Sequence, residues 1–177
     1  MIETKRLILR PWRAADLAPY AEMMADPEVG DWLGGTLTRA QAEAQAAHLQ
    51  AESYGAWVVE RRSDAAFLGL VELSPVGDDI PLAPAIEVGW RLARDAWGHG
   101  YATEAALAVI DDGFAHLGVE EIVAFTASTN LRSQAVMGRL GMERDLARDF
   151  DHPRLAPGHP LRPHVVYRAR AAASAAL

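Results

Sequence analysis

Cysteine is absent from this sequence, which excludes disulfides, thiolate catalysis and cysteine-held metal. No apolar run approaches the ~18–20 residues that cross a bilayer. The opening Met1-Ile2-Glu3-Thr4-Lys5-Arg6 also lacks the apolar core of a signal peptide, so a cytoplasmic protein without membrane contact is expected. Positive charge is scarce: 17 Lys and Arg face 24 Asp and Glu, a net charge of −7. An acidic surface repels phosphate backbones, which argues against nucleic acid; it suits a cationic partner such as an amine, or simply keeps the protein soluble. No internal repeat and no linker divides the 177 residues, a length that fits one domain around one core.

What remains reads as alternating strands and helices. Arg6–Trp12 is a strand closed by Pro11. Leu17, Tyr20, Ala21 and Met24 share one face of a helix running from about Ala15 to Asp26. Trp32 and Leu33 lie in an irregular piece before Gly34-Gly35, and Thr38 is the expected N-cap of an alanine-rich helix reaching about Ser53. Strands follow at 56–61 and 67–73, then a Pro- and Gly-rich loop over 75–84, then a strand over 85–92. A helix is expected over 103–116, a strand over 121–126, and a helix from Asn130 to Gly141. Late strands are expected at 143–150 and 164–168, joined by a loop with four prolines. This order describes a single α/β (α+β) domain with a mixed, mostly antiparallel sheet flanked by helices. Residues 1–170 form that domain in this reading, and the alanine-rich tail 171–177 is expected to be disordered.

The segment Trp97-Gly98-His99-Gly100-Tyr101-Ala102-Thr103-Glu104-Ala105 sits between a strand and a helix. Its glycines let the backbone approach a ligand closely, and the helix N-terminus adds about half a positive charge. Such a turn can hold a pyrophosphate without lysine; it can also be an ordinary connection. It is neither a Walker A loop nor a dinucleotide fingerprint, because no Gly-Lys-Ser/Thr follows and no repeated βαβ pattern surrounds it. Downstream, Asn130 and Ser133 read either as helix-capping residues or as ligand contacts.

Together these segments resemble the GNAT superfamily, and within it the RimJ/RimL-like branch. Thr4–Trp12 looks like that branch's first strand and Glu87-Val88-Gly89-Trp90-Arg91-Leu92 like its central strand. Trp97–Ala105 is similar to its pyrophosphate loop, and Asn130 with Ser133, ending in Leu140-Gly141-Met142, to its last helix. Two positions depart from the pattern. Trp97 stands where many members have Gln or Arg, and Met137 where many have a proton-donating tyrosine.

The resemblance implies direct transfer of acetyl from acetyl-CoA to a primary amine, either of a small molecule or of a protein N-terminus. A catalytically weak acetyl-CoA sensor is the alternative that the loss of the tyrosine raises. Trp90, Arg91 and Leu92 would carry the pantetheine arm, with a backbone N–H there holding the thioester carbonyl. Trp97, Gly98, His99, Gly100, Tyr101, Ala102 and Thr103 would hold the diphosphate. Asn130, Ser133, Met137 and Arg139 would complete the cofactor site, although Arg139 reads equally as a solvated helix residue. An ammonium must lose a proton before it attacks. Glu87 is the first candidate base, although it reads equally as an exposed strand glutamate, with Glu72 the runner-up on the acceptor side and Ser133 the candidate acid. Trp32, Asp149, Asp151 and His152 are expected near the acceptor, Trp32 alternatively in the core. The spacing of Asp149, Asp151, His152, His159 and His164 matches no compact metal motif, so no metal is expected. The branch's habit makes a homodimer an expectation too.

Overall fold

The computed structural model describes residues 1–52 and 54–171. Ser53, the expected end of the alanine-rich helix, and the tail from residue 172 lie outside the described residues.

Among the described residues, nine strands form one sheet: β1 (Ile2–Glu3), β2 (Leu7–Arg10), β3 (Gly55–Arg61), β4 (Phe67–Pro75), β5 (Ile86–Leu92), β6 (Glu121–Ala127), β7 (Glu143–Arg144), β8 (Phe150–Asp151) and β9 (Pro163–Arg170). The order is β1-β2-β3-β4-β5-β6-β9-β7, with β8 beside β9. The pairing is antiparallel except between β5 and β6, which run parallel and pair at one position, Glu87 opposite Val123. Past that point the two strands part, and the gap between their C-terminal halves is where the functional cleft lies.

Among the described residues, five α-helices cover the faces: α1 (Leu17–Ala25), α2 (Pro27–Gly30), α3 (Arg39–Glu52), α4 (Tyr101–Leu117) and α5 (Leu131–Arg139). The sheet's alternation decides which face each helix covers. Val88 and Leu92 of β5, with Val71 and Leu73 of β4, pack under α4 through Ala105, Val109 and Ile110. Val58 and Leu70, on the opposite face, pack under α1 and α3 through Tyr20, Met24, Ala42 and Ala46. Both layers are apolar at their centres apart from the Tyr20 hydroxyl, which donates to Gln45, so burial of these side chains is the main stabilising term. Glu87, Gly89 and Arg91 fall on the α1/α3 face by the same alternation, and there the covering helices leave the cleft open.

Sequence punctuation accounts for the helix ends. Thr38 and Gln41 form a capping box: the Thr38 N–H donates to Gln41 Oε1 at 2.9 Å, and the Gln41 N–H to Thr38 Oγ1 at 3.4 Å. Gly118, at φ 64°, ends α4 in the left-handed conformation that glycine adopts without strain.

Some boundaries differ from expectation. The helix anticipated from Ala15 to Asp26 starts as a 3₁₀ turn over Ala14–Asp16 and ends at Ala25. Asp26 leaves helical geometry, and its side chain accepts the Glu28 N–H to start α2. The strand anticipated over 143–150 is two short strands separated by a 3₁₀ turn, Leu146–Arg148. Asp145 stops the first by turning to accept from Arg148 at 3.0 Å. No helix among the described residues is long and apolar enough to cross a membrane.

Candidate active site

Gly98 and Gly100 take φ of 79° and 78°, which side chains rarely adopt, and together they turn the chain from β5 into α4. A Cβ at Gly98 would meet nothing within 4 Å, so its outer side is open. The backbone N–H groups of residues 98–103 have no protein partner among the described residues, and the first helical donation in this region is Glu104 N–H to Gly100 O at 3.1 Å. Six unpaired amides at the head of a seventeen-residue helix make a concave donor surface with a partial positive charge.

Arg6 holds this turn from behind. Its Nη1 donates to the His99 carbonyl at 2.8 Å, its Nε to Glu104 at 2.6 Å, and its guanidinium lies 4.8 Å from the Tyr101 ring centre. Drawing the His99 carbonyl inward leaves the amides facing out. Trp97 closes the cleft's other edge. Its Nε1 donates to the Leu92 carbonyl at 2.8 Å, and its ring lies between the guanidinium groups of Arg94 and Arg132, at 5.0 and 4.7 Å. Loss of a Gln or Arg at position 97 is thus accompanied by two arginines arranged around the tryptophan.

A cleft of about 1280 Å³ runs from this turn between the ends of β5 and β6 to the α1/α3 face. Trp90, Arg91 and Leu92 line one wall, Phe125, Thr126 and Ala127 the other. Glu72 and Glu87 lie on the same face of β4 and β5, because Glu72 pairs with Gly89 and Glu87 with Ser74. Arg91 Nη2 donates to Glu72 Oε1 at 2.5 Å. Glycine at 89 makes room for that carboxylate, since a Cβ there would lie 3.1 Å from Glu72 Oε1. Among the described residues no cation forms an ion pair with Glu87, and Arg91 and Arg154 act on it only from a distance. Burial, and then the neighbouring Glu72 charge, push its carboxyl up to about 7. A carboxylate with that affinity takes and releases protons near neutrality.

On α5, Asn130 is the helix N-cap: its Oδ1 accepts the Ser133 N–H at 3.2 Å and its Nδ2 donates to Thr126 Oγ1 at 3.1 Å. One amide proton remains for the cleft. Ser133 lines the cleft, and its hydroxyl has no protein partner among the described residues. Met137 is buried in the core under α4 while its edge reaches the cleft. Arg139 is exposed, with Nε 3.3 Å from Thr103 Oγ1 and no carboxylate partner among the described residues.

Trp32 and His152, expected near the acceptor, both line the cleft, and Trp32 is outside the buried core. Asp149 and Asp151, expected beside them, do not reach it. Arg144 takes both carboxylate oxygens of Asp149, one of which also accepts the Val166 N–H at 3.2 Å, so this residue ties the strand ends together. Asp151 is exposed and pairs with Arg162 at 3.1 Å. Adjacency to His152 in the chain misplaced both, because neighbours on an extended segment point to opposite sides. Sequence reasoning gave no site role to Arg6, Gly89, Phe125 or Arg154 and weighed His164 only as a metal ligand, yet all five border the cleft or shape it. Only Gly89, a glycine inside a strand, carried a signal that could have been read.

A sequence profile described as "Acetyltransferase (GNAT) domain" matches residues 6–143. The N-acetyltransferase YnaD of Bacillus subtilis, itself uncharacterised, is 27% identical over 146 residues, covering 81% of this chain and 83% of its own. An acetyltransferase structure from Agrobacterium tumefaciens is 27% identical at a TM-score of 0.74, covering 96% of this chain and 94% of that one. Spermidine N-acetyltransferase from Vibrio cholerae, solved with CoA and spermine, has the same fold at a TM-score of 0.74 and 16% identity, over 94% and 96% of the two chains. With the profile spanning most of its length, this chain belongs to the GNAT acetyltransferase family and is an acyltransferase.

Proposed function

We propose that the protein transfers acetyl from acetyl-CoA directly to a primary amine, of a small molecule or a protein N-terminus. The observation that carries this reading is the row of unpaired amides at 98–103 opening onto the same cleft as Glu87. The residues present fit the cosubstrate. Two side-chain-free positions and six outward donors suit a diphosphate, and Arg139 and Arg132, without carboxylate partners among the described residues, suit further phosphate charge. Acetyl-CoA supplies an activated acyl thioester. The edge of β5 that faces β6, unpaired beyond Glu87, would align it through the backbone at Trp90, Arg91 and Leu92, and a strand N–H there would steady the carbonyl oxygen as it gains charge.

Glu87 removes a proton from the arriving ammonium, directly or through water. Its raised proton affinity suits it to neutral pH, and Arg91 bound to Glu72 keeps the second carboxylate from competing. Met137 cannot protonate a leaving thiolate, so Ser133 or water serves there. A protein without cysteine forms no thioester of its own, which agrees with direct attack by the amine.

Calorimetry with acetyl-CoA and an assay of CoA release over an amine and peptide panel test this together. Gly100→Glu places an anion in the phosphate cradle at a positive φ, and acetyl-CoA affinity is expected to fall by at least ~100-fold. Glu87→Gln is expected to bind acetyl-CoA normally and turn over at least ~100-fold more slowly, in the usual range for losing a general base. Unchanged affinity in folded Gly100→Glu protein would refute the cradle. Tight binding with no turnover on any acceptor would point to a sensor.

A further inference from the structure

The acceptor end of the cleft has a wall that the transfer chemistry does not use. Phe125 on β6, with His164 and His152 from β9 and the loop before it, line this end. The two imidazole rings lie 4.8 Å apart, and Phe150 backs the group with its ring 5.5 Å from both Phe125 and His164.

The two imidazoles are fixed in opposite tautomers. His164 Nδ1 lies 3.1 Å from the Arg162 carbonyl, which only accepts, so Nδ1 carries the proton and Nε2 is a bare lone pair. His152 Nδ1 accepts the Arg154 backbone N–H at 3.3 Å, so its proton is on Nε2. Neither Nε2 has a hydrogen-bond partner among the described residues. Burial holds both rings below the ordinary histidine range, and for His152 its neighbours His164 and Arg154 add to this, which keeps the pair neutral at pH 7. One free donor therefore stands beside one free acceptor.

Register sets the distance from this pair to the base. Glu87 is opposite Val123 and His164 opposite Ala127. Two strand spacings of ~4.8 Å and four residues at ~3.3 Å place the two Cα atoms roughly 16 Å apart. One nitrogen cannot touch both groups, so an acceptor that reaches both is elongated and crosses Phe125. Among the described residues, the nearby carboxylates Asp79 and Asp151 are held by Arg154 and Arg162, so a second ammonium would have to displace an arginine to find a counter-charge. A carboxylate would find those arginines already paired. A hydroxyl, which both donates and accepts, satisfies the imidazole pair alone.

We propose that the acceptor is a monoamine with a flat apolar frame ending in a neutral hydroxyl, which donates to His164 Nε2 and accepts from His152 Nε2–H. This rests on the acetyl-transfer reading and narrows its amine. The test compares kcat/KM for tyramine, phenethylamine and spermidine at saturating acetyl-CoA, in the wild type and in His164→Phe and His152→Phe, with acetyl-CoA affinity confirming that each variant is folded. Tyramine is expected to exceed phenethylamine by at least ~10-fold, because the amine without the hydroxyl covers both Nε2 atoms while offering them no partner, and spermidine by more. In both variants the tyramine-to-phenethylamine ratio is expected to fall to about one. Equal use of tyramine and phenethylamine by the wild type, a preference for spermidine, or an unchanged ratio in both variants would overturn the proposal while leaving acetyl transfer intact. Absence of product from every amine, with acetyl-CoA bound, would instead overturn the acetyl-transfer reading and this proposal with it.

Discussion

Glu72→Gln should move the acid limb of the pH–rate profile downward. Glu72 and Glu87 are diagonal neighbours on β4 and β5, which places their side chains about 7 Å apart. At an effective dielectric of about 20, two unit charges at that distance repel by about 2 kcal/mol, equivalent to ~1.5 pH units. Removing the Glu72 charge lifts that repulsion, and Arg91, no longer bound to a carboxylate, then acts on Glu87 in the same direction. The wild-type limb is expected at about 7, and the Glu72→Gln limb at least one unit lower. The assay is kcat/KM for one amine from pH 4.5 to 8.5, at saturating acetyl-CoA, with circular dichroism checking the fold at each end. A limb that stays in place would show that Glu87 is not the titrating base or does not feel Glu72.

Stability should carry the same signature with the opposite cost. The Glu87 carboxyl has an ordinary value of 4.5 and about 7 when folded, so the folded state keeps a proton that the unfolded chain releases between those values. Stability is therefore lost as pH rises through that window, by up to about 3 kcal/mol, and Glu87→Gln should remove the loss in urea melts at pH 5 and 8. Arg10 is buried against Asp16, which it binds through both terminal nitrogens, and against Glu60 at 2.6 Å. Arg10→Met leaves buried Asp16 with no cation and Glu60 with only the longer Arg13 contact at 3.4 Å, and should destabilise the fold by about 3–5 kcal/mol, read as a drop in melting temperature. Arg6→Ala releases the His99 carbonyl and the Tyr101 ring, and should raise KM for acetyl-CoA several-fold while kcat changes little; a change confined to kcat would contradict its role behind the glycine turn.

The glycine turn was legible in the sequence because two glycines two residues apart, before a helical run, restrict the backbone to few conformations. Strand alternation likewise put Glu87 on the face opposite Val88 and Leu92, where it is found. What the sequence hid depends on distance along the chain. Arg6 reaches Glu104 across the sheet, and Glu72 occupies space left by Gly89 on a neighbouring strand; no local pattern announces either. The parting of β5 from β6 after Glu87 is a property of the pair, not of either strand. Asp149 and Asp151 were misassigned because their partners, Arg144 and Arg162, become visible only when β7, β8 and β9 come together. The tautomers of His152 and His164 follow from which backbone atom each Nδ1 meets, and that requires the folded loop.

The most direct test of the central claim is an amide ¹H–¹⁵N titration of the protein with CoA. Resonances of Gly98, His99, Gly100, Tyr101, Ala102 and Thr103 should show the largest shifts and saturate together, because these donors have no internal partner to give up. Saturable binding that leaves these six amides in place, with shifts centred elsewhere, would contradict a diphosphate held at the head of α4.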